Sequence, residues 1–519
     1  MQIIFRCFIH YSSVQVQLPT ENSLVPRSRL LISAAFQRCR VSEDLCRLSV
    51  VLKCCSAHDP LTVGITISDT GIGSCLEEFQ HLNFSREFVD AKKWDGLISV
   101  RTTNKCDDEI HHYHLNLKES ISNRRLIPLP SNPKNGAKFS GTEVHLSSSE
   151  SIDVLLAEFN CFFLKMLVLK TPNVAIELVV ERGDVPGSKH ENVLLANECN
   201  PLSFSTSNID RLKSGFEDYV LRSGNSLLRK YESCFPSYPN SISLSLREQL
   251  KVGSGVACCS ESHKSPSLLM EVVIIISELS ETISPCFRAC SAKTEVLYFE
   301  DFSPCSIYQS SLSALTTIDW KSYGLVLRRA VDQGGNVMLE WENLPPHIHI
   351  YMVLHCYHKQ YPIFHIIHFF KWPLLRQKTQ PDRKLVKRAI KLALEDLKEK
   401  NAGMLLSAHT LKIRSYAPDL ARTIAGLILT SNDSEFQQEC YSLLGLQSQD
   451  NEGEFVQDCI KEKIISVIET NDRKPQRSKE IAPCLFEDHC LQEPNFDDEE
   501  YDEAYDISIS IFKCKNIKN

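Results

Sequence analysis

Glycine is scarce in this chain, at 19 of 519 residues, roughly half of average usage. That excludes a protein threaded with glycine-rich phosphate loops. Long apolar runs are also missing, and none reaches the ~18 residues that span a bilayer. The longest candidates are Leu268–Leu279, broken by Glu271, Ser277 and Glu278, and Ile363–Leu375, broken by His365, His368 and Lys371. Met1–His10 has no apolar core and no small-residue cleavage site, so no secretory leader is expected. The 21 cysteines are an odd number without a leader, which does not make a disulfide framework. A soluble intracellular protein with reduced thiols and no membrane contact is the expectation. Positive charge is not in surplus either: 57 Lys and Arg stand against 65 Asp and Glu, a net charge of −8. Such a chain does not grip nucleic acid everywhere through its own field, because phosphate binding needs clustered cations.

What is present is ordinary globular material, 43% hydrophobic and 24% charged, long enough for about three domains. Helical apolar spacing occurs over Arg27–Gln37, followed by strand-like segments at Leu48–Leu52 and Leu61–Ser68. Leu97–Thr103 and Ile110–Leu117 alternate in a strand period and predict a hairpin. Pro128–Ser140 reads as a loop, Thr142–Leu146 as a strand, Ile152–Leu167 as a helix and Asn173–Val180 as a strand. This mixture fits an α+β sandwich better than a parallel α/β repeat. Composition turns polar near Asp184, with one helical stretch at Ile209–Leu221. Strand character returns at Leu268–Ser277, Glu295–Phe299 and Ile348–His355.

The clearest single element is a helix over Pro381–Lys400, with Val386, Ile390, Ala393, Leu394 and Leu397 on one stripe. Weaker helices are expected at Ala417–Leu429 and Phe455–Glu469. Residues Glu487–Asp506 carry ten acidic residues and no Lys or Arg. They account for −10, so the rest of the chain sums to +2. The expected organisation is 1–183, a first domain; 184–265, a linker or reduced middle domain; 266–415, a second α+β domain; and 416–519, C-terminal helices with a disordered acidic tail.

The most specific local string is Ile67-Ser68-Asp69-Thr70-Gly71-Ile72-Gly73. An Asp at a strand end can accept from an exocyclic amine, and glycines let backbone approach a flat ring. The same letters also serve as plain turn chemistry. Further on, Trp320, Lys321 and Tyr323 form an aromatic–cation–aromatic cluster that suits core packing with a snorkelled Lys, or a partner interface. Arg383, Lys384, Lys387, Arg388 and Lys391 fall on one helix face. They read as solvated surface or as a contact to DNA phosphates or a partner. His347, His349, His355, His358, His365 and His368 cluster with Cys356, but no paired Cys-x-x-Cys accompanies them, and no metal site is expected there. Cys286 and Cys290 lack a second pair, and the adjacent thiols Cys54–Cys55 and Cys258–Cys259 default to buried or inert roles.

Residues 67–73 resemble the adenine-binding motif of the GHKL ATPase fold shared by gyrase, ninety-kilodalton heat-shock chaperones and topoisomerase VI B subunits. Phe139-Ser140-Gly141-Thr142-Glu143-Val144 resembles that fold's late Gly-Thr box. Ile318-Asp319-Trp320-Lys321-Ser322-Tyr323-Gly324-Leu325 resembles the Trp-Lys-x-Tyr-Gly signature of the topoisomerase VI B transducer domain. In this order, and spanning about residues 60–400, the three matches resemble the plant meiotic topoisomerase VIB-like family. The resemblance implies a GHKL-type sandwich, a transducer-like domain with a long helix, and an ATP pocket formed by Asp69, Gly71, Gly73 and Thr142. It implies a nuclear B-like subunit of the meiotic complex that makes programmed DNA double-strand breaks. The partners implied are topoisomerase VI A-like cleavage subunits in a heterotetramer, other break-formation proteins, and DNA through the complex.

The departures from the family bear on mechanism. Arg27–Gln37 offers neither the Glu that orients water nor the Asn that holds Mg²⁺ in active relatives. Between Gly73 and Gly136 the only glycine is Gly96, too few for the family's phosphate lid. No catalytic residue is therefore expected in this chain and no cofactor is required, with Asp69, Gly71, Gly73 and Thr142 serving the fold or weak residual ATP binding. Lys359 is the nearest positional match to the γ-phosphate lysine of active relatives, but its local motif does not carry the role. The aromatic stretch Ile363–Gln377 departs from the short link expected there and would form an exposed sticky patch. Two other readings stay open: an active ATP-dependent clamp subunit of a type IIB topoisomerase, and a chaperone-like scaffold with no link to recombination.

Overall fold

The computed structural model describes residues 25–55, 62–74, 76, 79, 97–116, 126–182, 189–196, 207–230, 250–259, 268–278, 293–333, 336–342, 344, 348–358, 381–401, 403–446 and 453–473. Residues 1–473 make up one unit and 474–519 a second. The second unit, with the acidic stretch, lies outside the described residues. So do the 363–377 segment, His347, Lys359, His365, His368, Cys286 and Cys290.

A period-two alternation of apolar side chains builds the first sheet. The chain runs α1 (Val25–Val41), β1 (Cys46–Cys55), β2 (Thr62–Asp69), β3 (Leu97–Thr103), β4 (Glu109–Asn116), β5 (Leu126–Pro133), β6 (Gly141–Ser148), α2 (Ile152–Met166), β7 (Val174–Arg182) and β8 (Lys189–Ala196). The strands order as β5-β4-β3-β6-β2-β1-β7-β8. β1 pairs parallel with β7 and antiparallel with β2. Leu48, Val50, Leu52, Ile65, Ile67, Val100 and Val144 point to one face, where Ile32 and Phe36 of α1 and Phe159 and Phe163 of α2 cover them. The other face carries Ser99, His112 and His145, whose partners are polar, as expected of an antiparallel sheet covered on one side.

Pro128–Ser140 departs from its reading as a loop. Its first half belongs to β5, which pairs with β4 at the sheet edge. An edge strand tolerates prolines because its outer N–H groups need no partner. Most of β5 is exposed, so no burial alternation marks it in the sequence.

The second sheet follows α3 (Asn208–Lys230). It contains β9 (Leu250–Cys259), β10 (Leu268–Glu278), β11 (Lys293–Glu300), β12 (Ser303–Pro304), β13 (Leu327–Gln333), β14 (Asn336–Trp341) and β15 (Ile348–His358), with α4 (Gln309–Thr316) after β12 and α5 (Arg383–Lys400) after β15. The order is β13-β14-β11-β15-β10-β9, with β12 on β11. The central strands β10 and β15 are nearly continuous apolar runs because both faces are buried. Val273, Ile275, Leu297, Phe299 and Val353 join the core of the first sheet, together with Leu212 and Phe216 of α3. Val272, Ile274, Met352 and Leu354 face the opposite way, onto Val386, Ala389, Ile390, Ala393, Leu394 and Leu397 of α5. The described residues within 184–265 therefore divide between the two layers. β8 completes the first sheet, α3 packs on its core, and β9 is the edge of the second.

Four helices close the described chain: α6 (Ala408–Arg414), α7 (Ala417–Thr430), α8 (Ser434–Leu444) and α9 (Gly453–Arg473). Ala421, Ala425 and Ile428 of α7 pack on Val456 and Ile460 of α9. Asp472 joins α9 to the rest, pairing with Lys398 Nζ at 2.8 Å and accepting from Ser407 Oγ and Thr410 Oγ1 at 2.8 Å each. The architecture is α+β, as expected. No helix among the described residues is long and apolar enough to cross a membrane.

Two tests follow from this packing. A Cβ at Gly255 would stand 2.3 Å from Ala389 O and 2.5 Å from Ala393 N, so Gly255→Val pushes α5 off β9. It should lower unfolding free energy by about 1–3 kcal/mol or more in urea titrations. Gly426, with open space around it inside α7, is the control, and Gly426→Ala should stabilise by about 0.5–1 kcal/mol.

The second test is a pH profile of Asp472. Burial acts to raise its carboxyl, but hydrogen bonds from Lys398, Thr410 and Ser407 outweigh it and bring the group down to about 2. A carboxylate depressed below its unfolded value of about 3.9 stabilises the fold fully above that pH and loses the effect as pH falls through the folded value. Asp472→Asn should therefore lower thermal stability at pH 7. The gap to the unmodified protein should close as pH drops from about 4 to 2.

Candidate functional site

The antiparallel pairing of β2 with β6 sets Asp69 directly opposite Thr142, so the two motifs read from sequence meet in space. Asp69 ends β2, and its Oδ1 accepts from the Gly71 amide at 3.0 Å. Thr142 Oγ1 lies 3.0 Å from Thr102 Oγ1, which accepts from the Ser74 amide at 2.8 Å. Asp69, Gly71, Gly73 and Thr142 thus form one constellation.

That constellation is filled by the chain itself. Arg38, in the last turns of α1, donates to Asp69 Oδ2 from Nε at 3.0 Å and from Nη2 at 2.7 Å. The Asp69 side chain is 0% exposed and that of Arg38 7%. A Cβ at Gly71 would stand 2.5 Å from the Arg38 carbonyl carbon, and one at Gly141 2.4 Å from Asp69 O. Gly73 sits at φ +88°, and a Cβ there would stand 2.6 Å from Thr103 O. The glycines accommodate neighbouring backbone, and the carboxylate that would receive a purine amine receives a guanidinium. As folded here the residues do not fit an adenine nucleotide. Lys134, also buried, donates to Asn104 O at 2.5 Å and Phe139 O at 2.8 Å, tying the turn after β5 to the loop after β3.

Arg38 and Lys134 were not singled out from the sequence. Arg38 is one of several arginines on an amphipathic helix, and nothing in its spacing separates it from Arg29 or Arg40. Lys134 falls in a polar turn, where a lysine ordinarily points to solvent.

The other candidate residues lie apart from this cluster. Trp320 and Tyr323 are buried in the second core. Trp320 Nε1 donates to Leu315 O at 2.8 Å, and its ring meets Trp341 edge-on with centroids 5.1 Å apart. Burial, with Glu395 and Asp319 adding, pushes the Tyr323 hydroxyl up to about 12. Lys321 is exposed. On α5, Arg383, Lys384, Arg388 and Lys391 are exposed and Lys387 is half-buried. Lys391 reaches Glu395 at 3.9 Å, while the first turn holds no acidic residue. Cations there oppose the helix dipole. Of the histidine cluster, His355 is buried, with Nδ1 3.2 Å from Glu271 Oε2. No metal-holding group of three or more His, Cys, Asp or Glu occurs among the described residues.

The family model for the MTOPVIB middle domain matches residues 209–401, and that for the meiotic topoisomerase VIB-like C-terminal domain matches 409–473. A search of curated proteins gives no match. Among solved structures, the chain is similar to the topoisomerase IV ATP-binding domain of Francisella tularensis in complex with a small-molecule inhibitor. The match has 11% identity, 72% of this chain and 93% of that one covered, and a TM-score of 0.27. It is also similar to the B subunit of DNA gyrase from Myxococcus xanthus, at 10% identity, 70% and 92% coverage and a TM-score of 0.28. The family matches define a topoisomerase VI B-like protein. The chain carries the middle and C-terminal domains of the meiotic topoisomerase VIB-like family.

Removing one member of the buried pair tests the site. Arg38→Ala leaves a buried carboxylate without its cation and should cost about 3–5 kcal/mol in chemical denaturation. Arg38→Met combined with Asp69→Leu removes both charges and should recover most of that loss.

Proposed function

We propose that this chain is a non-catalytic B-like subunit of a meiotic topoisomerase VI-like complex in the nucleus. It binds and assembles A-like subunits that cut DNA in programmed double-strand breaks. The observation that carries the non-catalytic part is Arg38 held on Asp69, which fills the position a nucleotide base would need. The cleavage chemistry belongs to the partner, and this chain requires no cofactor for its role. Assembly into a heterotetramer and association with other break-formation proteins extend the same reading.

The docking surface for the A-like partner falls on the helices after α5. α7 turns Ala421, Ala425 and Ile428 inward while Leu420 and Leu427 stand 50% and 65% exposed. Leu411, Ile413 and Tyr416 continue the apolar surface back into α6. An apolar strip flanking a helix's own core stripe suits a partner helix. The cations of α5, Arg383, Lys384, Lys387, Arg388 and Lys391, would contact DNA phosphates once the complex holds the duplex.

Co-expression with A-like subunits tests the reading. The full chain should co-purify with them, and a chain ending at Gln380 should not. Leu420→Glu with Leu427→Glu should weaken capture at least about tenfold with helix content unchanged. Capture that survives loss of everything after Gln380 refutes the interface. Metal-dependent ATP hydrolysis above that of Asp69→Asn would refute the non-catalytic role.

A further inference from the structure

One helical turn touches both halves of the molecule. Arg38 points from α1 into the first sheet, onto Asp69. Its neighbours point to the second sheet. Gln37 Nε2 donates to Asp301 O at 2.5 Å, and Gln37 Oε1 accepts from Arg40 Nε at 2.9 Å. The Arg40 guanidinium lies over the Phe302 ring, 4.2 Å from its centroid. Asn173 Nδ2 donates to Cys39 O at 3.0 Å and Ser42 O at 2.9 Å, anchoring the end of this turn to the strand start it packs on.

The receiving turn between β11 and β12 is strained. Asp301 and Phe302 both hold positive φ, +45° and +65°, a conformation uncommon outside glycine and most of all for a bulky ring. Such strain persists only where surroundings over-determine it, and here they do. The Asp301 amide donates to Cys356 O at 2.8 Å, and Asp301 Oδ1 accepts from the His358 amide at 3.3 Å. The Phe302 ring also meets His355 and Tyr357, at 4.6 and 5.3 Å between centroids. Those two rings are themselves tied to the buried Glu271, with the Tyr357 hydroxyl donating at 2.7 Å.

We propose that the last turns of α1 are a two-sided latch that fixes the second sheet against the first without any nucleotide. Arg38 closes the latch on one side. Gln37 and Arg40 close it on the strained Asp301–Phe302 turn on the other. Because residues 37, 38 and 40 share one helical turn, loosening either side loosens the other. With the backbone in this conformation the Phe302 ring lies under Arg40.

Hydrogen exchange read by mass spectrometry on the full chain tests the latch, since local opening reports directly on such contacts. Arg40→Ala and Phe302→Ala should each speed exchange about tenfold in both 34–41 and 299–305, with β10 and β15 still protected. Phe302→Tyr should keep the unmodified pattern. Phe302→Gly relieves the backbone strain but removes the ring, and exchange in 34–41 should still rise. Acceleration confined to the mutated side in these variants would overturn the proposal. So would a Phe302→Gly chain more stable overall with 34–41 unchanged. Mg-ATP should leave both segments of the unmodified protein as they were, and a change in them would show that nucleotide, not α1, sets the contact.

Discussion

A carboxylate buried at the end of a strand has to be met by charge or by several donors, and the arrangement of the first sheet follows from how Asp69 is met. Its partner is Arg38, so α1 must lie across the end of β2 with its final turns inward. The backbone of that helix then comes so close to the loop after β2 that only glycine fits at position 71. Thr142 and Gly141 close from the neighbouring strand. A motif associated elsewhere with holding a ligand is therefore self-contained, with its donors and acceptors spent on one another.

The second constraint is double-sided burial. β10 and β15 have no wet face. One side belongs to the core that α3 shares with the first sheet, the other to the stripe of α5. A sheet buried in this way cannot slide past its neighbours without exposing apolar area on both sides, and interfaces of that kind hold domains in one relation. The two glycines of β9, with the alanines of α5 opposite, bring helix and strand backbones within contact distance. The C-terminal helices differ in kind. Among the described residues their buried core is five small or medium side chains, while Leu411, Leu420, Leu427, Leu443 and Val467 stand exposed.

Much of this was legible in the amino-acid order. The central strands are written as apolar runs, and the stripe on α5 as a helical repeat. Asp69 and Thr142, far apart in sequence, were each visible as a strand end and a strand start, and the register sets them face to face. The edges were harder to read. β5 is mostly exposed, and the alternate buried positions of β9 are Gly253, Gly255 and Ala257, too small to show as an apolar period, so 128–140 reads as loop and 184–265 as a linker or reduced middle domain. Least legible were residues whose role depends on what packs against them. Nothing local distinguishes Arg38 from the arginines around it, and nothing in Glu300-Asp301-Phe302 announces a left-handed turn. Such roles reside in tertiary contacts that sequence spacing does not encode.

The prolines of β5 have a consequence beyond tolerance at an edge. Pro128, Pro130 and Pro133 carry no amide hydrogen, so three of the eight residues along the β5 edge of this sheet can donate to nothing. A free rim is where one copy of a protein recruits the next into a growing ladder. At the β5 edge such pairing would find donors missing, and because the deficit is covalent it does not change with protein concentration.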